Sequence, residues 1–197
     1  MKIRSLCLFL LFICCNVFAA GSPTVMLQNT TNEVVAALNA NQATLKSNPK
    51  VAYRIINTSI VPHFDLEGMA RSVIPRDVWA QTSPSQRAQF TQQFTNLLVR
   101  TYASALASYR NESIKYLPVR AGANSQRVQV NSEIVRQNGP SINVSYRLIQ
   151  LGQQWKIYDF SVDGISMLQS YRSQFSAQLS QGGGISSLIQ KLSQHNG

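Results

Sequence analysis

The chain has 197 residues, with 18 Lys and Arg against 8 Asp and Glu and a formal charge of +10. Cys7, Cys14 and Cys15 all lie near its start, so the rest of the chain holds neither a disulfide scaffold nor a thiolate metal site. Only His63 and His195 remain as imidazole donors and the carboxylates are scattered, which leaves no recognisable metal-ligand spacing.

The first elements are those of an export signal. Lys2 and Arg4 precede an apolar run over 6–13, and Val17-Phe18-Ala19 gives a small-residue exit. The run is shorter than the roughly 20 residues of a membrane span. Ile13 before Cys14 does not suit a lipid-modified cysteine. Cleavage is expected after Ala19, leaving 1–19 as a signal peptide and 20–197 as a single domain in the bacterial periplasm. Asn-x-Ser/Thr triplets occur at Asn29, Asn57, Asn111 and Asn143. The last falls inside a strand pattern, against a role as a surface glycan acceptor. The positive charge is dispersed over Arg54, Arg71, Arg76, Arg87 and later residues, without a run. Such a field suits anionic lipid head groups, and no nucleic-acid motif is present.

Helical patterns fill the first half. Leu27, Thr30, Val34 and Leu38 recur at helical spacing within 23–45. Ser47-Asn48-Pro49 predicts a second helix start, with Val51, Ile55, Ile56 and Ile60 as its buried stripe and Pro62 as its end. Asp65 is a candidate cap for a short helix through Met69, Ala70 and Val73, which Ile74-Pro75 breaks. Ser83-Pro84-Ser85-Gln86 is a capping-box start. It predicts a long helix to Tyr109, with a stripe that includes Phe90, Phe94, Leu97, Leu98, Thr101 and Tyr102.

The period then changes to two. Ile114 and Tyr116 open a first strand. Val128, Val130, Ser132 and Ile134 face one side of a second. Ile142, Val144, Tyr146 and Leu148 do so in a third, and 155–162 forms the fourth. Turns at Gln137-Asn138-Gly139-Pro140 and Leu151-Gly152-Gln153-Gln154 make consecutive hairpins, hence an antiparallel sheet with one apolar face. A helix carrying Ile165, Leu168, Tyr171, Phe175 and Leu179 follows. Gly182-Gly183-Gly184 joints it to a closing helix with Leu188, Ile189 and Leu192. The expected class is α+β: N-terminal helices and a long helix packed on a curved four-stranded antiparallel sheet, with C-terminal helices closing an apolar cavity.

Reaction chemistry is sparse. His63-x-Asp65 lacks further ligands nearby, and its bland reading is a helix cap beside an ordinary histidine. No Gly-x-Ser-x-Gly elbow presents a serine, and Gly182-Gly183-Gly184 lacks the lysine of a phosphate loop. A ketosteroid isomerase-like site could cast Tyr158, Asp159 and Asp163 as acid and base groups. Strict alternation places Asp159 opposite Tyr158 and Phe160, so these groups would not converge.

Asp65-Leu66-x-x-Met69-Ala70-Arg71, Trp79, Pro84-Ser85-Gln86-Arg87-Ala88-Gln89-Phe90 and Leu97-Leu98-Val99-Arg100-Thr101-Tyr102-Ala103-Ser104-Ala105-Leu106 follow one another along the chain. Arg127-Val128-x-Val130, Trp155-Lys156-Ile157-Tyr158-Asp159, Val162-Asp163-Gly164-Ile165-Ser166 and Arg172-x-x-Phe175 complete the set. In this order and spacing the segments resemble the MlaC (toluene-tolerance) family. Ile74-Pro75 departs from the Leu-Gly-like turn expected there.

The resemblance implies an NTF2-like fold and a non-enzymatic carrier, with phospholipid as cargo and no cofactor. Its implied partners are an outer-membrane lipoprotein–porin complex and an inner-membrane ABC transporter complex with a membrane-anchored substrate-binding subunit. Lipid passed between them would maintain outer-membrane asymmetry. Hiding acyl chain from water stabilises by about 0.8 kcal/mol per methylene, whereas moving it from bilayer to pocket is nearly neutral. The candidate lipid-binding walls are Phe94, Leu98, Tyr102, Val128, Val130, Ile142, Val144, Tyr146, Tyr171 and Phe175. Each also fits ordinary core. Arg147 and Arg100 are the candidate head-group contacts.

Overall fold

A computed structural model describes residues 21–45, 47–109, 112–119, 125–136 and 138–196. The expected signal peptide lies outside the described residues.

Helix α1 (Pro23–Ala40) has proline at its start and buries Leu27, Val34 and Leu38. It ends at Asn41, whose side chain donates to the Ala37 carbonyl, so the predicted single helix breaks before the short α2 (Gln42–Leu45). Asn48 caps α3 (Pro49–Ile55) by accepting from the Lys50 N–H. The chain beyond is not the uniform helix expected up to Pro62. It widens into a π turn over Ile56–Ile60, with Val61 N–H bonded to the Ile56 carbonyl, then tightens into a 3₁₀ turn over Val61–His63. Pro62 has no N–H with which to continue the α-helical ladder.

Helix α4 (Leu66–Val73) starts at Asp65, whose carboxylate accepts from the Gly68 N–H at 3.0 Å. The Asp65 N–H bonds to the Ile157 carbonyl, pinning the cap to the sheet. Ile74-Pro75 separates α4 from α5 (Arg76–Gln81), which buries Trp79. The capping box is present. Gln86 N–H donates to Ser83 Oγ and Ser83 N–H to Gln86 Oε1, opening α6 (Pro84–Ala107). The helix stops two residues before the expected Tyr109.

The sheet runs β1 (Ser113–Tyr116), β2 (Arg127–Val135), β3 (Ile142–Leu151), β4 (Gln154–Val162) and β5 (Ile165–Ser166). It is antiparallel throughout, with the strands in chain order. The fifth strand corrects the predicted four. Asp163 and Gly164 both take positive φ (48° and 85°) and fold the chain back, pairing Val162 with Ile165. Two residues are too few to show a period. Ile165 consequently sits exposed in β5 and not on a helix face. The next helix, α7 (Met167–Ser180), begins with Ser166 as its cap. The glycines lead into α8 (Gly184–Asn196).

A second correction concerns β4. Arg147 pairs with Asp159 but Leu148 with Ile157, so Tyr158 is an extra, unpaired residue. This β-bulge breaks the alternation. Ile157 and Phe160 both face the inner side although three residues apart. Tyr158 turns away and lies under the Arg127 guanidinium.

Three apolar clusters hold the molecule together. One joins α4, α5, α6, α7 and α8 around Met69, Phe90, Phe94 and Phe175. A second joins α1, α3 and α6 through Leu38, Val51, Ile55 and Val99. The third lies under the sheet, where Leu27 meets Val128, Val130, Leu148 and Ile157. The last two leave an unfilled space between them.

Candidate functional site

That space is a cavity of about 510 Å³ between the helices and the concave face of the sheet. Helix α1 contributes Leu27, Thr30, Val34 and Leu38, the full helical stripe read from the sequence. The π turn and its successor contribute Ile56, Ile60 and Val61. Ile56 lies at the start of the widened turn and Val61 closes it through the Val61-to-Ile56 bond. Helix α6 gives Leu98, Tyr102 and Leu106. The sheet gives Ile114, Tyr116, Ile134, Ile142, Val144, Tyr146, Ile157, Phe160 and Val162. Close packing is the rule in protein interiors, so an apolar space of this size is the candidate binding site.

The hydroxyls on the wall are engaged elsewhere. Thr30 Oγ1 donates to the Met26 carbonyl and Thr95 Oγ1 to the Thr91 carbonyl, one helical turn back. Thr31 Oγ1 and the Tyr116 hydroxyl share a 2.6 Å hydrogen bond, and the same phenol donates to the Leu27 carbonyl at 3.2 Å. The Tyr102 hydroxyl is turned onto the Met167 sulfur. Burial pushes Tyr146 up to about 12, aided by nearby Tyr116. Burial, aided by Tyr171, also pushes Tyr102 up to about 12. Burial raises Tyr116 as well. All three phenols therefore stay neutral near neutral pH, and the interior carries no charge.

Charge appears at one end. Among the described residues Glu112 and Arg136 are the charged ones of the lining, and Ala105, Ser108 and Arg136 its exposed ones. The rim is therefore formed by the C-terminal end of α6 and the outer ends of β1 and β2. Neither imidazole nor thiol reaches the cavity among the described residues.

The structure separates the sequence-derived candidates. Leu98, Tyr102, Ile142, Val144 and Tyr146 come together on the cavity wall. Phe94, Tyr171 and Phe175 pack on one another in the helical cluster, with Phe94 edge-to-face at 5.4 Å from Tyr171 and 5.7 Å from Phe175. Val128 and Val130 pack against Leu27 in the cluster beneath the sheet. Arg147 lies on the outer face, 3.4 Å from the Asp159 carboxylate. Arg100 is exposed on α6 and donates to the Asn196 carbonyl of α8. Sequence reasoning did not single out the α1 stripe, the π turn, Phe160, Val162 or Arg136 for this wall. The stripe was visible in the sequence, but helical spacing does not distinguish a cavity wall from filled core.

The groups cast for acid–base work lie elsewhere. Asp159 is buried (2 % exposed). It accepts from Ser166 Oγ at 2.8 Å, from the Leu168 N–H at 3.2 Å, and from Arg147. It thereby places negative charge at the start of α7, where the helix dipole favours it. Asp163 accepts from the Asn143 N–H. Tyr158, Asp159 and Asp163 are all absent from the cavity lining. His63 is held below its ordinary value by burial first and by nearby Lys156 second, while Asp65 serves as the α4 cap. Among the described residues no three His, Cys, Asp or Glu side chains group to hold a metal ion. No helix there is long and apolar enough to cross a membrane.

Comparison with known proteins agrees with this architecture. The chain is 30% identical over 165 residues to the toluene tolerance protein ttg2D of Pseudomonas putida, covering 84% of this chain and 76% of that protein. It is 28% identical over 179 residues to the intermembrane phospholipid transport system binding protein MlaC of Haemophilus influenzae, covering 89% and 83%. A phospholipid-binding protein from Ralstonia solanacearum, solved in complex with a phospholipid, superposes with a TM-score of 0.83 at 29% identity. That match covers 89% of this chain and 97% of the other. The family model described as MlaC protein matches residues 28–194, and the chain belongs to the MlaC family.

Proposed function

We propose that this protein is a periplasmic phospholipid carrier that holds acyl chain in the cavity between α1, the π turn, α6 and the concave sheet, and leaves the head group at the rim. The observation that carries the reading is the cavity itself: apolar inside, uncharged, and open where Arg136 stands. An apolar space of this size accommodates acyl chain. Removing that chain from water contributes about 0.8 kcal/mol per methylene. The names and bound ligand of the relatives support phospholipid as the cargo.

Leu98, Tyr102, Ile142, Val144 and Tyr146 are the direct contacts in this reading. Phe94, Tyr171 and Phe175 support α6 from behind, and Val128 and Val130 support Leu27 from the sheet face that carries Tyr146. The protein is a carrier and not an enzyme, exported by the segment 1–19. It takes lipid from, or gives it to, an outer-membrane lipoprotein–porin complex and an inner-membrane ABC transporter complex.

Native mass spectrometry of the protein purified without detergent, followed by organic extraction, tests the cargo. A stoichiometric phospholipid adduct is expected. A clean apo mass under gentle conditions overturns the reading.

A further inference from the structure

The geometry points to Arg136 as the anchor for the phosphodiester of the bound lipid. The inference rests on the carrier reading and deepens it, because it fixes which end of the cavity the head group occupies. Among the described residues Arg136 is the one positive side chain on the lining, and it is exposed. It follows directly on β2, whose Ile134 also lines the cavity and pairs with Ile142. A guanidinium there sits beside apolar wall on one side and water on the other, which is where the phosphate of a lipid with a buried chain must lie. Among the described residues it makes no ion pair. Its planar fork can meet two phosphate oxygens at once.

The register that pairs Ser113 with Val135 sets Glu112 against Arg136 one step beyond the end of the ladder. The rim thus carries both signs. A phosphodiester with one negative charge suits it better than a phosphomonoester with two.

The test is release of a preloaded lipid into excess empty vesicles of phosphatidylethanolamine and phosphatidylglycerol, comparing the wild type with Arg136→Glu and Arg136→Lys. Two cargoes of equal chain length are used: a lysophospholipid, and a monoacylglycerol that lacks phosphate. For the lysophospholipid, Arg136→Glu is expected to release about five- to tenfold faster, with Arg136→Lys between it and wild type. Monoacylglycerol release stays unchanged. Arg172→Glu, an equal charge change on the exposed side of α7, controls for general attraction to the vesicles and leaves both rates unchanged. Ten-millimolar-range inorganic phosphate is expected not to speed release. If it does so as strongly as the Glu substitution, Arg136 is a free-phosphate site and the inference fails. Equal effects on both cargoes, or none on either, also overturn it. A wild type that loads neither cargo refutes the carrier reading itself, a separate outcome.

Discussion

The Thr31 and Tyr116 hydroxyls lie 2.6 Å apart and join α1 to β1 within the cavity wall. Tyr116 also reaches the Leu27 carbonyl, so one phenol ties the helical wall to the sheet edge at two points. Tyr116→Phe keeps the ring against the cavity and removes both bonds. A loss of about 1–2 kcal/mol in unfolding free energy is expected, with faster lipid release because α1 is less firmly held. Chemical denaturation and vesicle-transfer rates check it. Unchanged values on both would mean that the bond does not fasten the wall.

Wall and core should respond differently to changes in volume. Val162 lines the cavity and belongs to none of the three apolar clusters. Val162→Trp fills empty space, so it should leave the melting temperature near wild type while reducing bound lipid severalfold. Phe94 is 1 % exposed, stacked on Phe90 and edge-to-face with Tyr171 and Phe175. Phe94→Ala should cost about 3–5 kcal/mol of stability. The idea of a lipid-filled cavity fails if Val162→Trp destabilises as strongly as Phe94→Ala without lowering occupancy.

Much of the frame could be read from the chain because local chemistry specified it. Asp65, Ser83 and Asn48 announced their helices, and alternation in β2 and β3 placed Val130, Val144 and Tyr146 on one face. The departures have physical causes. Pro62 removes a donor, and the turn before it, Ile56–Ile60, widens to a π turn. Tyr158 adds a residue to β4 and reverses its alternation. Ile165 enters a two-residue strand too short for any pattern. The cavity was harder to read, because Leu98 and Phe94 look alike in sequence. Only the packing of α6 against both the sheet and α7 makes one a wall and the other core. Arg136 gave no local signal, being one dispersed arginine among many.

Titration should distinguish the two ends of the pH range. Tyr146 and Tyr102 are both held up to about 12 by burial, against about 10 when unfolded. Between these values the unfolded chain has released protons that the folded chain keeps, so stability falls as pH rises from about 10 towards 12. His63 is shifted the other way. Its folded form favours the neutral ring, so its contribution is present above its ordinary value of about 6.5 and is lost as pH falls below it. Phenolate absorbance during alkaline titration, together with melting temperature, tests the first claim. Replacing both tyrosines with phenylalanine should flatten the alkaline limb, and an unchanged limb would refute it. His63→Gln should flatten the smaller acid-side slope.

A side chain at Gly68 should come at the expense of the Asp65 cap. A Cβ there would stand 2.0 Å from Asp65 Oδ2, yet its N–H is the partner of that carboxylate. The same Asp65 donates its backbone N–H to the Ile157 carbonyl, and Ile157 lines the cavity. Gly68→Ala, normally a gain for a helix, must push Asp65 aside, breaking the cap and disturbing the tie between α4 and β4. A net loss of about 1–2 kcal/mol is expected despite the better propensity, with lowered hydrogen-exchange protection at Asp65. Asp65→Ala relieves the crowding, so adding Gly68→Ala to it should recover a few tenths of a kcal/mol. If the double variant is no more stable than Asp65→Ala, the close approach of the carboxylate is not what requires glycine at this position.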